Sequence, residues 1–256
     1  MPETPHGLNS PEPTSVDQLE VVIIGAGFAG MYMLHRMRQL GFRARVYEAG
    51  SGVGGTWYWN RYPGCRFDSE SYSYCYSFSQ ELLTEWNWTE HFSPQPETLK
   101  YLQFVAEKFD LRKDIEFNRR VTAAVFDETE NHWNVYIGDD VVSGAFCVMA
   151  TGCLSSANTP DFDGIERFDG DTYHTGNWPH EGVDFAGKRV GLIGTGSSGI
   201  QATPVIAEQA GHLTVFQRTP NFSVPAHNKP MDPSYQEQVK SDYRDFRKRL
   251  KDLPIA

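Results

Sequence analysis

Two short stretches, GAGFAG at Gly25–Gly30 and GTGSSG at Gly194–Gly199, carry three glycines each at the same spacing. In such a pattern the first glycine permits a tight turn, the second lets backbone approach a pyrophosphate, and the third lets a helix pack closely on a strand. Gly25, Gly27 and Gly30 fill those roles in the first turn, and Gly194, Gly196 and Gly199 in the second. Charge then separates the two. Glu48 closes the strand after the first turn, where a carboxylate can accept hydrogen bonds from ribose hydroxyls and would repel a 2′-phosphate, which suits FAD or NAD. The strand after the second turn, HLTVFQRTP, ends without an acid and offers Arg218 in the place that Glu48 takes in the first unit, and its guanidinium can form paired, charge-assisted bonds to a 2′-phosphate. That site is expected to prefer NADP. Thr195, Ser197 and Ser198 add hydroxyls near the phosphates. An ordinary exposed glutamate at 48 and a solvated arginine at 218 are the plain alternatives. One flavin and one NADPH in the same chain imply hydride transfer from nicotinamide to flavin.

These groups need a strand, a turn and a helix in that order. LEVVIIG from Leu19 is a continuous β-branched run, as expected of a strand covered on both faces. AGFAGMYMLHRMRQLG has helical spacing and stops at Gly41, a residue suited to a left-handed cap, and FRARVYE is the next strand. KRVGLIGTGSSGIQATPVIAEQAGHLTVFQR repeats the unit. Between them, Gly50 to Pro96 is rich in Trp, Tyr, Ser and Gly without sustained periodicity. PETLKYLQFVAEKFD reads as a helix with Leu99, Leu102, Phe104, Val105 and Phe109 on one buried face. VTAAVFDETENHWNVYIG reads as a hairpin or meander, AFCVMATG as a short strand, and DPSYQEQVKSDYRDFRKRLKDLPIA as one charged helix.

The expected fold class is α/β, with two Rossmann-like dinucleotide-binding domains of the three-layer ββα type, the second truncated because such a sheet needs further strands. The expected domains are a disordered tail over 1–18, an FAD-binding domain over 19–153, incomplete without C-terminal return strands, a linker over 154–186, and the first part of an NADP-binding domain over 187–256.

The formal charge of −10 argues against nucleic acid or an anionic membrane surface as partner. The opening residues resemble no signal peptide, and no run reaches the roughly 20 apolar residues of a membrane helix. Cys65, Cys75, Cys147 and Cys153 form no CxxC pair and accompany no zinc spacing, so a reduced, cytoplasmic protein without metal is expected. A disulfide reductase would need a redox-active cysteine pair, and Cys65 and Cys75 are too far apart to resemble one.

The stretch FDGDTYHTGNWPH sits between the two units. Its Phe168, Gly170, His174, Trp178 and Pro179 match the FxGxxxHxxxWP fingerprint, and on them the chain resembles the Baeyer-Villiger monooxygenases. GGTWYWNRYPGCRFDSESYSYCYSFS from Gly54 is similar to the flavin-side segment of that family, in its phenylacetone and steroid monooxygenase branch. The resemblance implies a flavin-dependent enzyme using NADPH and O2 to insert one oxygen beside a ketone carbonyl, giving an ester or lactone. It places Phe28, Gly55, Thr56, Trp57, Asp68, Tyr74 and Val121 with the glycines and Glu48 at FAD, and Arg66, Gln201 and Thr219 with the second turn at NADP. Asp68 and Arg66 are implied as supporting catalytic residues, and the oxyanion-stabilising arginine of the family matches no residue here. A surface ion pair is the plain alternative for Asp68 and Arg66, and simple interface packing is the plain alternative for His174 and Trp178. A conformational role is expected for the fingerprint. The resemblance also leaves three states open for the chain: part of a longer enzyme, a half needing a complementing C-terminal half, or an inactive FAD/NADP-binding remnant. Weak FAD binding and no ester formation are expected of the isolated chain. N- or S-oxygenation by a related flavin monooxygenase is the alternative chemistry.

Overall fold

A computed structural model describes residues 19–252; the tail expected over 1–18 lies outside them. The chain divides into two compact units, one formed up to Gly52 and by Asp110–Thr151, the other by Val53–Phe109 and the residues from Gly152 on.

The first unit is built on β1 (Leu19–Ile24), α1 (Phe28–Gln39), β2 (Ala44–Tyr47), β3 (Ile115–Glu116), β4 (Val121–Asp127), β5 (His132–Ile137) and β6 (Asp140–Met149). They form one six-stranded sheet in the order β3-β2-β1-β6-β5-β4. β1 lies parallel to β2 and β6, while β5 is antiparallel to β4 and β6. Central position explains the β-branched composition of β1: Val21, Val22 and Ile23 are fully buried, and Val22 packs with Tyr47, Val135 and Ile137. The helix α1 buries Gly30, Met31 and Leu34 and ends as its sequence suggests. Gly41 adopts φ +85°, and the Gly41 and Phe42 amides donate to the Arg38 and Met37 carbonyls, satisfying groups the last turn would leave open. The strand expected as AFCVMATG is longer, because Asp140–Ser143 already pair with β5.

The second unit holds α2 (Thr56–Trp59), α3 (Gln80–Glu85), α4 (Gln95–Lys108), β7 (Arg189–Ile193), α5 (Ser197–Ala207), β8 (His212–Phe216), α6 (Pro233–Ser241) and α7 (Tyr243–Asp252). β7 and β8 pair in parallel, which completes a second β-α-β unit. Two expectations change. The buried face of α4 is Gln95, Thr98, Tyr101, Leu102, Val105 and Ala106, with Leu99, Phe104 and Phe109 only half-buried. Polar Thr98 and Tyr101 go inside because Thr98 donates to the Pro94 carbonyl and Tyr101 accepts the Tyr76 amide. The single C-terminal helix is two helices, since Asp242 leaves helical geometry and its carboxylate accepts the Asp245 amide as a new N-terminal cap.

Part of the aromatic stretch is core: Trp57, Tyr62, Phe67, Tyr72 and Trp88 are buried, as is Tyr101 on α4, while Tyr58, Trp59, Tyr74 and Trp86 are half-buried. Trp57 meets Phe67 and Tyr74 edge-on at 5.7 and 5.6 Å between ring centres, an arrangement favoured by ring quadrupoles. Among the described residues no helix is long and apolar enough to cross a membrane.

Candidate dinucleotide sites

In the first unit, Gly25 leaves β1 with φ +101°, and its amide donates to the Tyr47 carbonyl at 2.9 Å. A side chain there would meet the Ala150 carbonyl oxygen at 2.6 Å, and one at Gly30 would fall 1.8 Å from the Gly25 carbonyl oxygen. Both positions therefore require glycine, one for conformation and one for closeness of helix to strand. Gly27 caps α1 with extended backbone and Phe28 opens the helix, which has no side-chain cap and no acid in its first turn. Such an end favours a phosphate.

Glu48 follows β2 and is 4% exposed, so the exposed-glutamate alternative does not hold. Its Oε2 accepts the Ala26 amide and its Oε1 the Gly50 amide, each at 2.7 Å. The carboxylate thus braces the turn while keeping lone pairs for further donors. Val121 begins β4, at a register irregularity opposite β5.

The second unit copies this geometry. Gly194 adopts φ +104° and donates to the Phe216 carbonyl at 2.9 Å, and a side chain at Gly199 would lie 2.3 Å from the Gly194 carbonyl oxygen. Gly196 caps α5, and neither it nor Gly194 has any atom within 4 Å of where a side chain would start. Ser197 and Ser198 open α5. The copy also corrects the register assigned to Arg218. With Gly194 matching Gly25 and Phe216 matching Tyr47, the residue in the place of Glu48 is Gln217, and exposed Arg218 stands one position on, followed by exposed Thr219. Gln217 Nε2 donates to Thr195 Oγ1 at 2.9 Å. Laying one turn over the other in the sequence identifies Gln217 directly.

The residues expected beside the flavin and NADP from Gly55 to Tyr74 belong to the second unit. Gly55, at φ 52°, caps the short α2 that starts at Thr56. Arg66 and Asp68 do not pair with each other among the contacts observed. Arg66 Nη1 instead donates to Glu90 Oε2 at 3.1 Å and to the Phe92 carbonyl at 3.2 Å. Gln201, on α5, joins the group: Nε2 donates to Asp68 Oδ1 at 3.0 Å and to the Arg66 carbonyl at 3.1 Å. Its Oε1 accepts the Tyr62 hydroxyl at 2.9 Å and the Arg66 amide at 3.2 Å. Gly64 lets this segment approach α5, since a side chain there would lie 2.2 Å from the Gln201 carbonyl oxygen. Burial raises the Tyr62 hydroxyl well above its ordinary value, so it remains a donor.

The fingerprint residues make their contacts within their own segment. The Phe168 ring covers Gly170, where a side chain would come within 2.6 Å of it. His174 Nδ1 accepts the Gly176 amide at 3.0 Å, capping a short 3-10 turn over Thr175–Asn177. Trp178 is buried, with its ring 6.2 Å from that of Phe185, and Pro179 follows it.

The model of the pyridine nucleotide-disulphide oxidoreductases matches residues 22–252. The chain belongs to this family. A Baeyer-Villiger monooxygenase of Pseudooceanicola batsensis is 44% identical over 239 residues, covering 93% of this chain and 44% of that protein. The solved structure of oxidized steroid monooxygenase bound to NADP is 57% identical with a TM-score of 0.85, covering 89% of this chain and 44% of that one. The OTEMO complex with FAD and NADP is 45% identical with a TM-score of 0.85, covering 91% and 44%. The chain thus spans less than half the length of these relatives, which are Baeyer-Villiger monooxygenases and their structural neighbours, as the linker motif implies. Within the pyridine nucleotide-disulphide oxidoreductase family, disulfide chemistry finds no dithiol here. All four cysteines are free, and burial pushes Cys65 up to about 11 and Cys75 upward as well, so neither is a thiolate near neutral pH. No cluster of metal-binding side chains occurs among the described residues.

Proposed function

We propose that this chain is the FAD- and NADPH-binding part of a Baeyer-Villiger monooxygenase, acting on a small-molecule ketone with O2. The observation that carries the reading is the repetition of one glycine turn with different charge beside it: a buried carboxylate at Glu48, an amide and a guanidinium at Gln217 and Arg218. Bound FAD supplies the redox and oxygen chemistry, and NADPH the hydride.

Gly25, Gly27, Phe28 and Gly30 hold the flavin's phosphates, with Glu48 at its ribose and Gly55, Thr56, Trp57, Asp68, Tyr74 and Val121 as further contacts. Gly194, Thr195, Gly196, Ser197, Ser198 and Gly199 hold the NADP phosphates, with Arg218 and Thr219 at the 2′-phosphate. Arg66 and Asp68 support catalysis, held in place by Gln201. The functional domains are 19–153 for FAD and 187 onward for NADP, with 154–186 as the linker whose Phe168, Gly170, His174, Trp178 and Pro179 govern domain movement. A complementing C-terminal half supplies the remaining groups of the pocket, and the free thiols suit the cytoplasm.

The test is anaerobic mixing of the FAD-loaded chain with NADPH or NADH, followed by loss of oxidised-flavin absorbance. Faster reduction by NADPH supports the cofactor assignment, and equal reduction overturns it. Admitting O2 with a ketone or an amine, together with the complementing half, then separates ester from N-oxide by mass.

A further inference from the structure

We infer that Gln217, rather than Arg218 alone, sets the second turn's preference for a phosphorylated ribose. This rests on the reading of that turn as the NADP site.

The chain carries its own comparison. In both units the amide of the first glycine donates to the last carbonyl of the second strand, at 2.9 Å in each case, which fixes Gln217 in the place of Glu48 and Thr195 in the place of Ala26. Glu48 fills its place with negative charge and accepts two amides, from Ala26 and Gly50. Gln217 fills the equivalent place with a neutral amide that is oriented by donating to Thr195 Oγ1, and Asn221 Nδ2 contacts the same hydroxyl at 3.4 Å. Thr195 is therefore the anchor that a turn alanine cannot be.

The electrostatic consequence follows from position. A carboxylate beside a ribose binds two hydroxyls well and opposes a phosphate on either of them. An amide can accept from one hydroxyl, donate to one phosphate oxygen, and oppose neither. Arg218 adds attraction; it and Gln217 are both exposed, so salt weakens the effect of a charge at either place. Removing the repelling group is thus the step that admits the phosphate, and Arg218 strengthens what Gln217 permits. Gln217→Glu would rebuild the first turn's arrangement in the second, with the Thr195 and Thr219 amides standing where Ala26 and Gly50 stand.

The test uses adenosine fragments, which report this end of the site without hydride transfer or flavin. The full chain and its Gln217→Glu and Arg218→Ala variants are titrated with 2′,5′-ADP and with 5′-ADP, with thermal melting recorded to show that each is folded. The parent chain should favour 2′,5′-ADP. Gln217→Glu should lower that preference by about tenfold or more while 5′-ADP affinity holds or rises. Arg218→Ala should weaken 2′,5′-ADP without improving 5′-ADP. A parent that favours 2′,5′-ADP and a folded Gln217→Glu variant with the same preference would overturn the role of Gln217 alone. A parent with no preference would overturn the NADP reading and this inference with it. If Gln217→Glu does not fold, Gln217→Leu decides: loss of orientation without added charge should reduce the preference less than tenfold, and a complete loss would contradict a charge-based role.

Discussion

Glu48 Oε2 accepts the Ala26 amide at 2.7 Å across the base of the first glycine turn, so one carboxylate both shapes the turn and presents its charge beside it. Its second oxygen accepts the Gly50 amide. Glu48→Gln keeps size but turns one of these acceptors into a donor facing a donor. We expect a loss of about 1–3 kcal/mol in denaturant unfolding, with weaker FAD retention. Unchanged stability would show that the two hydrogen bonds contribute nothing net.

Gly30 and Gly199 are the points where each helix touches its own turn. A methyl group at either would fall far inside contact distance of a carbonyl oxygen, 1.8 and 2.3 Å respectively, and backbone rather than side chain would have to move. Gly30→Ala should cost roughly 1–3 kcal/mol and abolish FAD retention while 2′,5′-ADP binding survives; Gly199→Ala should do the reverse. Loss of both ligands in both variants would mean the turns do not act separately.

Gln201 makes four hydrogen bonds, to Tyr62, Arg66 and Asp68. Gln201→Leu leaves the Arg66 amide, the Arg66 carbonyl and the buried Tyr62 hydroxyl without these partners. Destabilisation of about 1–3 kcal/mol is expected, together with slower flavin reduction by NADPH, and hydrogen exchange at the Arg66 amide should accelerate. Gln201→Glu should retain the Tyr62 bond and lose the two donated ones, giving an intermediate effect.

Burial raises the Cys65 thiol from 9.0 to about 11. The folded state therefore holds its proton where the unfolded chain has released it, so this contribution to stability is complete below pH 9 and is lost as the pH rises toward 11. Unfolding free energy measured across that range should fall for the parent and fall less steeply for Cys65→Ala. Exposed Cys153 should be alkylated first at pH 8, with Cys65 unreactive until the chain unfolds.

The two β-α-β units were legible because every signal that makes them is local. β-branched runs, helical spacing, glycines at fixed intervals and Gly41 at a helix end act over one or two turns of chain, and both turns and the Gly41 cap form where those signals lie. The cluster around Arg66 was not legible. Its partner is Glu90 rather than Asp68, and Asp68 is held by Gln201 from a distant part of the chain; no spacing encodes contacts that exist only after packing.

Burial behaved in the same way. The apolar pattern located α4, but which face turned inward depended on Pro94 and Tyr76 satisfying the hydroxyl groups of Thr98 and Tyr101. Local patterning along the chain sets the strand-turn-helix order, the charge after each second strand and, through equal spacing from each first glycine, the equivalence of Gln217 with Glu48. Packing chose the partners of Arg66 and Asp68, Glu90 for one and Gln201 for the other, because those hydrogen bonds join segments that no local spacing relates.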